Sequence, residues 1–119
     1  MALDTNLPVF ARPIEIHSAN KTFEVTSNSN AESLSLTEGT YANLAALLIE
    51  FSYQYDSHAD AGGDATLNSD LKVEITCSSP GTTTIVWTHT ALRDLLGFDE
   101  GVSVSDGNPQ AGDYMSPYL

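Results

Sequence analysis

This chain of 119 residues has one cysteine, one tryptophan, two methionines and four lysines and arginines. With Cys77 alone, no intrachain disulfide can form, so stability must come from packing or from assembly with other copies. Against 16 acidic residues stand only Arg12, Lys21, Lys72 and Arg93, which leaves a formal net charge of -12. These cations are scattered, so no patch replaces the counterions around phosphates, and nucleic-acid binding is not expected. The same charge disfavours an anionic membrane surface. Long apolar runs are missing too. The longest, Leu44 to Ile49, is closed by Glu50 and is much too short to span a bilayer. The opening Met1-Ala2-Leu3-Asp4-Thr5-Asn6 has neither the positive start nor the apolar stretch of a secretion signal, so synthesis in a cytoplasm is expected.

Hydrophobic residues make up 41% of the chain, enough for one ordinary core and more than a disordered acidic tail would hold. One domain is expected, organised as an N-terminal arm over 1–12, a β-rich body over 13–98 and a C-terminal arm over 99–119. Pro8 and Pro13 suit an extended first segment. Ile14 and Ile16, then Phe23 and Val25, alternate with polar residues around Ser18-Ala19-Asn20, which predicts a β-hairpin. Ser27 to Asn30 reads as a loop, and Leu34 and Leu36 as a third strand. From Thr40, read as an N-cap, Leu44, Leu47, Leu48, Phe51 and Tyr55 recur at helical spacing to about Ser57. Leu71, Val73, Ile75 and Cys77 alternate, and Ser78-Ser79-Pro80-Gly81 turns into the β-branched run ending at Trp87 and Thr88, a second predicted hairpin. Thr90 is expected to cap a short helix with Leu92, Leu95 and Leu96, ended by a left-handed Gly97 with Phe98 folding back. The expected class is mainly β, a small antiparallel β-sandwich-like domain with one packed helix and extended arms.

Chemistry is sparse in the sequence. Asp56, His58, Asp60 and Asp64 have the spacing of a calcium loop only in part, because Ala61 and Leu67 stand where such loops need Gly and a bidentate Glu. His17, His58 and His89 fall on separate elements without the short spacing of a zinc site. There is no Gly-x-Ser-x-Gly elbow, and serines and threonines are too abundant for any triad to carry meaning. Cys77 falls on the apolar side of its strand and reads as a buried small hydrophobe. Trp87 reads as core. No enzyme activity, cofactor or metal is expected. Tyr53 and Tyr55 could stack on sugars, which leaves a carbohydrate-binding module as a reading from another class.

The arms are the unusual feature, because each carries large apolar residues beyond what the body's own core can absorb. Leu7, Val9 and Phe10 at one end and Tyr114, Met115, Tyr118 and Leu119 at the other are the expected assembly interface, clasping neighbouring subunits. Glu38-Gly39-Thr40-Tyr41 before the helix, Ile85-Val86-Trp87-Thr88 closing the second hairpin, and Leu92-Arg93-Asp94-Leu95-Leu96-Gly97-Phe98 come in one order. Over about residues 34–98 and part of the tail, the chain thereby resembles small structural proteins of tailed-phage virions. That resemblance implies a non-enzymatic virion component made in the host cytoplasm. It implies a capsid cement or decoration protein, a homotrimer on the capsid surface whose partners are the major capsid protein and copies of itself. A tail-tube, tail-terminator or neck subunit, a ring whose acidic lumen passes DNA without sticking, is the alternative.

Overall fold

Alternation of apolar and polar residues sets most of the strands. The computed structural model describes residues 13–78 and 80–118. Along them run β1 (Ile14–Ile16), β2 (Thr22–Ser27), β3 (Asn30–Ser35), β4 (Gly39–Tyr41), α1 (Leu44–Asp56), β5 (Ala65–Leu67), β6 (Val73–Ile75), β7 (Thr82–Val86), α2 (Thr90–Leu96), β8 (Val102–Ser105) and β9 (Gln110–Ala111). In β2, Phe23, Val25 and Ser27 are buried while the residues between them are only half-buried, as the two faces of a strand require. The strands form three antiparallel sheets, ordered β1-β4, β3-β2-β7-β8 and β5-β6-β9. The fold is mainly β with a helix packed on it, as the sequence predicts.

Helix α1 buries the expected stripe of Leu44, Leu47, Leu48, Phe51 and Tyr55. Phe51 stacks on Phe23 of β2 with ring centroids 4.5 Å apart. On another side of the helix, the Tyr55 hydroxyl donates to Thr76 O just after β6, at 3.1 Å. The helix therefore joins the four-stranded and three-stranded sheets into one core. Its start differs from expectation. Asn43 is the N-cap, accepting from Ala46 N–H at 2.9 Å, whereas Thr40 lies in β4 opposite Glu15. The first residue of the apolar stripe is Leu44, so the cap belongs one residue before it. In α2, Thr90 is the first helical residue and not the cap. His89 holds the cap position without a side-chain cap bond and instead accepts from Thr22 N–H through Nδ1 at 3.2 Å. Gly97 is left-handed at φ 93°, and Phe98 N–H and Gly97 N–H return to Arg93 O and Asp94 O, closing the helix as predicted.

Neither predicted hairpin forms. β1 pairs with β4 and not with β2, because Asn20 takes the edge that a hairpin partner would use. Its side chain accepts from His17 N–H at 2.7 Å and donates to Glu15 O at 3.0 Å. β6 lies between β5 and β9, while β7 lies between β2 and β8, so the chain crosses from one sheet to another between residues 76 and 82. Alternation marks both as strands but says nothing about which neighbours flank them. Ser79 of the predicted turn lies outside the described residues.

The hairpins that do form are β5–β6 and β2–β3, and in the latter Asn28 and Ser29 make a two-residue turn at φ 53° and 63° between the paired Ser27 and Asn30. Both central residues need positive φ in such a turn, and glycine at the second is the preferred solution. Ser29→Gly is expected to raise the unfolding free energy by about 0.5 to 1 kcal/mol, the left-handed strain relieved less the added unfolded-state entropy. Equilibrium urea unfolding of the two proteins checks this.

The C-terminal stretch is not an arm throughout. β8 pairs with β7 along Val102 to Ser105, and β9 pairs with β6. Val102 and Val104 are buried in the core, and Trp87 Nε1 donates to Glu100 O at 2.9 Å. The reading of 99–119 as lying outside the core fails because the Val-Ser-Val-Ser alternation, a strand signal, is flanked by glycine, proline and aspartate.

Candidate functional site

The surface feature that stands out is an apolar groove between α1 and β5. It has a volume of about 590 Å³ and is walled by Leu48, Ile49, Ser52, Ala65 and Leu67, with Asp64 at its margin. Ile49 and Tyr53, one helical turn apart, project from α1 with 73% and 70% of their surface exposed. Each would be core if the helix rotated, but the stripe of Leu44, Leu47, Leu48, Phe51 and Tyr55 already faces inward. The pair was legible as two large apolar residues four apart and off the main stripe.

The groove's floor is organised by hydrogen bonds. Ser52 Oγ accepts from Ala65 N–H at 3.0 Å and donates to Ala65 O at 3.4 Å, so the helix covers part of the outer edge of β5. On the far side of the helix, Glu50 Oε2 accepts from Thr37 N–H and Gln54 Nε2, each at 2.9 Å. Burial alone would raise the Glu50 carboxyl, but these bonds hold it below its ordinary value of 4.5. Glu38 is lowered as well, first by its hydrogen bond from Lys21 and then by that ammonium's charge. A carboxyl whose folded pKa lies below its unfolded one stabilises fully above the unfolded value and loses that contribution as pH falls through the folded one. Thermal stability is therefore expected to decline below about pH 4.5, and Glu50→Gln to flatten that decline. Superimposable melting profiles from pH 6 to 3 would remove this role from Glu50.

Of the expected interface residues, Tyr114 and Met115 are exposed at 38% and 52%. Tyr118 is packed against the core, and its neighbour Ser116 is buried, with Oγ donating to Leu95 O at 2.6 Å. Leu7, Val9, Phe10 and Leu119 lie outside the described residues. The structure thus keeps Tyr114 and Met115 available for contact and places Tyr118 partly in the body. Backbone bonds from Asp113 N–H and Tyr114 N–H to Gly97 O hold the Tyr114 backbone against the end of α2.

The polar loop after α1 is tied inward by a buried histidine. His58 is 3% exposed, with Nε2 2.9 Å from Asn30 O and Nδ1 accepting from Asp60 N–H and Ala61 N–H at 3.0 and 3.1 Å. Two N–H donors on Nδ1 fix the neutral tautomer with its proton on Nε2. Asp56 Oδ1 accepts from Gly63 N–H, and Asp60 Oδ2 accepts from Asn30 Nδ2. These carboxylates are engaged in shaping the loop. Among the described residues, no three His, Cys, Asp or Glu side chains gather closely enough to hold a metal ion.

Tyr55 is no sugar platform, since it is fully buried, and Cys77 lies in the core as its strand position predicts. Cys77 is buried, with Sγ 3.5 Å from Thr83 Oγ1, which donates to Ser27 Oγ, so a polar thread crosses the core between the sheets. Burial, and secondarily the Cys77 thiol, push the Tyr55 phenol well above its ordinary range. Comparison of the chain with protein-family models, curated proteins and solved structures finds no match. Among the described residues, no helix is long and apolar enough to cross a membrane.

Proposed function

We propose that this chain is a non-enzymatic structural subunit that works by docking, a capsid cement or decoration protein of a tailed-phage virion. In this reading it binds over junctions of the major capsid protein and against copies of itself. The observation that carries the docking role is the pair Ile49 and Tyr53, exposed beside an apolar groove on a chain of net charge -12. Contiguous large apolar side chains are costly to leave in water and mark contact surfaces, whereas the surrounding acids keep the free subunit soluble until it docks.

The virion setting rests on the sequence resemblance. Of the segments that carry it, Gly39-Thr40-Tyr41 is a strand rather than a helix start, and the segment ending in Trp87 is not half of a hairpin. Burial of area between subunits, with no chemistry, would stabilise the shell.

Immunogold electron microscopy of intact particles from the source, with antibody against this chain, tests the proposal. Label over the heads is the expected result. Label confined to tails or necks would replace it with the ring-forming reading, and particles without label would overturn the virion assignment.

A further inference from the structure

Resting on that assembly reading, we infer that the groove between α1 and β5 receives residues 1–12 of a second copy, added as a strand on the free edge of β5. The β5–β6 ladder is bracketed by Asn68 N–H to Lys72 O and Thr76 N–H to Asp64 O. Antiparallel pairing alternates, so Thr66 turns its backbone groups toward β6, while Ala65 and Leu67 turn theirs outward. Ser52 satisfies both outward groups of Ala65. Leu67 has no equivalent cover among the described residues, and β5 is the end strand of its sheet. An open edge beside an apolar trough is the geometry that extended peptides recognise, backbone bonds supplying affinity and side-chain pockets specificity.

Three features of residues 1–12 fit that site. Pro8 has no N–H and must face away from a pairing strand, which turns the backbone groups of Leu7 and Val9 toward β5. Ser52 already occupies Ala65, so the backbone pairing falls on Leu67, while the spacing of two lets both apolar side chains meet the groove's apolar walls. Charge is the third feature. The segment holds one acid, Asp4, and one base, Arg12, so the other residues carry the whole excess of -12. With no net charge it can approach an acidic body without repulsion, and Arg12 brings a cation to Asp64, which lines the groove. β1, where the segment joins the body, belongs to a different sheet from β5, which suits donation to a neighbour.

Disulfide trapping in the full-length chain tests this, with buried Cys77 first replaced by alanine. One preparation carries Val9→Cys and another Ile49→Cys, and the two are mixed under mild oxidation. Val9→Cys mixed with Val86→Cys, an exposed apolar position on β7, is the control. The 9–49 covalent dimer is expected to form at least about tenfold faster than the 9–86 dimer, because docking raises the local thiol concentration. Equal rates would overturn the inference. So would a double variant that closes the 9–49 bond within one chain, at a rate independent of dilution. Sedimentation of the same preparations separates the two levels of the account. Self-association without 9–49 trapping removes this docking mode alone, whereas absence of self-association removes the assembly reading with it.

Discussion

Phe51→Ala is expected to lower the unfolding free energy by about 3 to 5 kcal/mol, the upper range for truncating a buried aromatic. Phe51 is fully buried and sits at the junction of α1 with the four-stranded sheet. Its ring stacks on Phe23 at 4.5 Å and lies 6.1 Å from Trp87 and 6.3 Å from Tyr55, while Trp87 continues the cluster to Phe98 at 5.5 Å. Alanine would leave a cavity bounded by the rings of Phe23, Trp87 and Tyr55, on three different segments, which cannot all shift inward together. Against a typical domain stability of about 5 to 15 kcal/mol, such a loss leaves little margin. Urea unfolding followed by tryptophan fluorescence measures it directly. A change below about 1 kcal/mol would mean that the aromatic cluster does not hold the helix to the sheet.

Removing residues 99–119 is expected to abolish cooperative folding. Val102 and Val104 are each 2% exposed, and burying a valine contributes about 1.5 to 3 kcal/mol. The deletion also strips β7 of one partner strand and β6 of another, and it leaves Trp87 Nε1 without its carbonyl. Together these losses rival the whole stability of a small domain. Circular dichroism should show no sharp thermal transition in the truncated chain. A truncated chain that melts cooperatively near the wild-type midpoint would show that 99–119 is an appendage after all. Gly97→Ala should act in the same direction, because a Cβ there would lie 2.2 Å from Tyr114 O at φ 93°.

How much of this was legible in the sequence depends on the kind of signal. Helix α1 was readable residue by residue, since five buried side chains at helical spacing leave one solution for which face is inward. The Gly97 stop was readable for the same local reason, because few residues tolerate its backbone angle. Strand existence was legible at β1, β2, β6 and β7, but strand partners were not. Alternation reports which side of a strand is buried, whereas pairing is decided by distant segments such as β4 and β9, whose own two or three residues carry almost no pattern. His58 illustrates a different limit. Its neighbours Asp56, Asp60 and Asp64 speak for solvent, and only the approach of Asn30 O makes the imidazole worth burying. Tyr114 and Met115 were legible as contacts and are exposed, Tyr53 was legible as a surface tyrosine, and Ile49 was missed because it lies in a helix whose inward face already accounts for its apolar content.

The account's central claim is that this acidic body associates through the α1 face beside the groove. Sedimentation equilibrium of the full-length chain over a wide concentration range, alongside the Ile49→Gln/Tyr53→Gln variant, tests it most directly. Both positions are exposed on a helix and glutamine is a good helix former, so the variant should keep the wild-type melting temperature. The prediction is a wild-type mass that climbs above 12.7 kDa with concentration and a variant that stays at the monomer mass. A wild-type chain that remains monomeric throughout, or a variant that associates equally well, would contradict it.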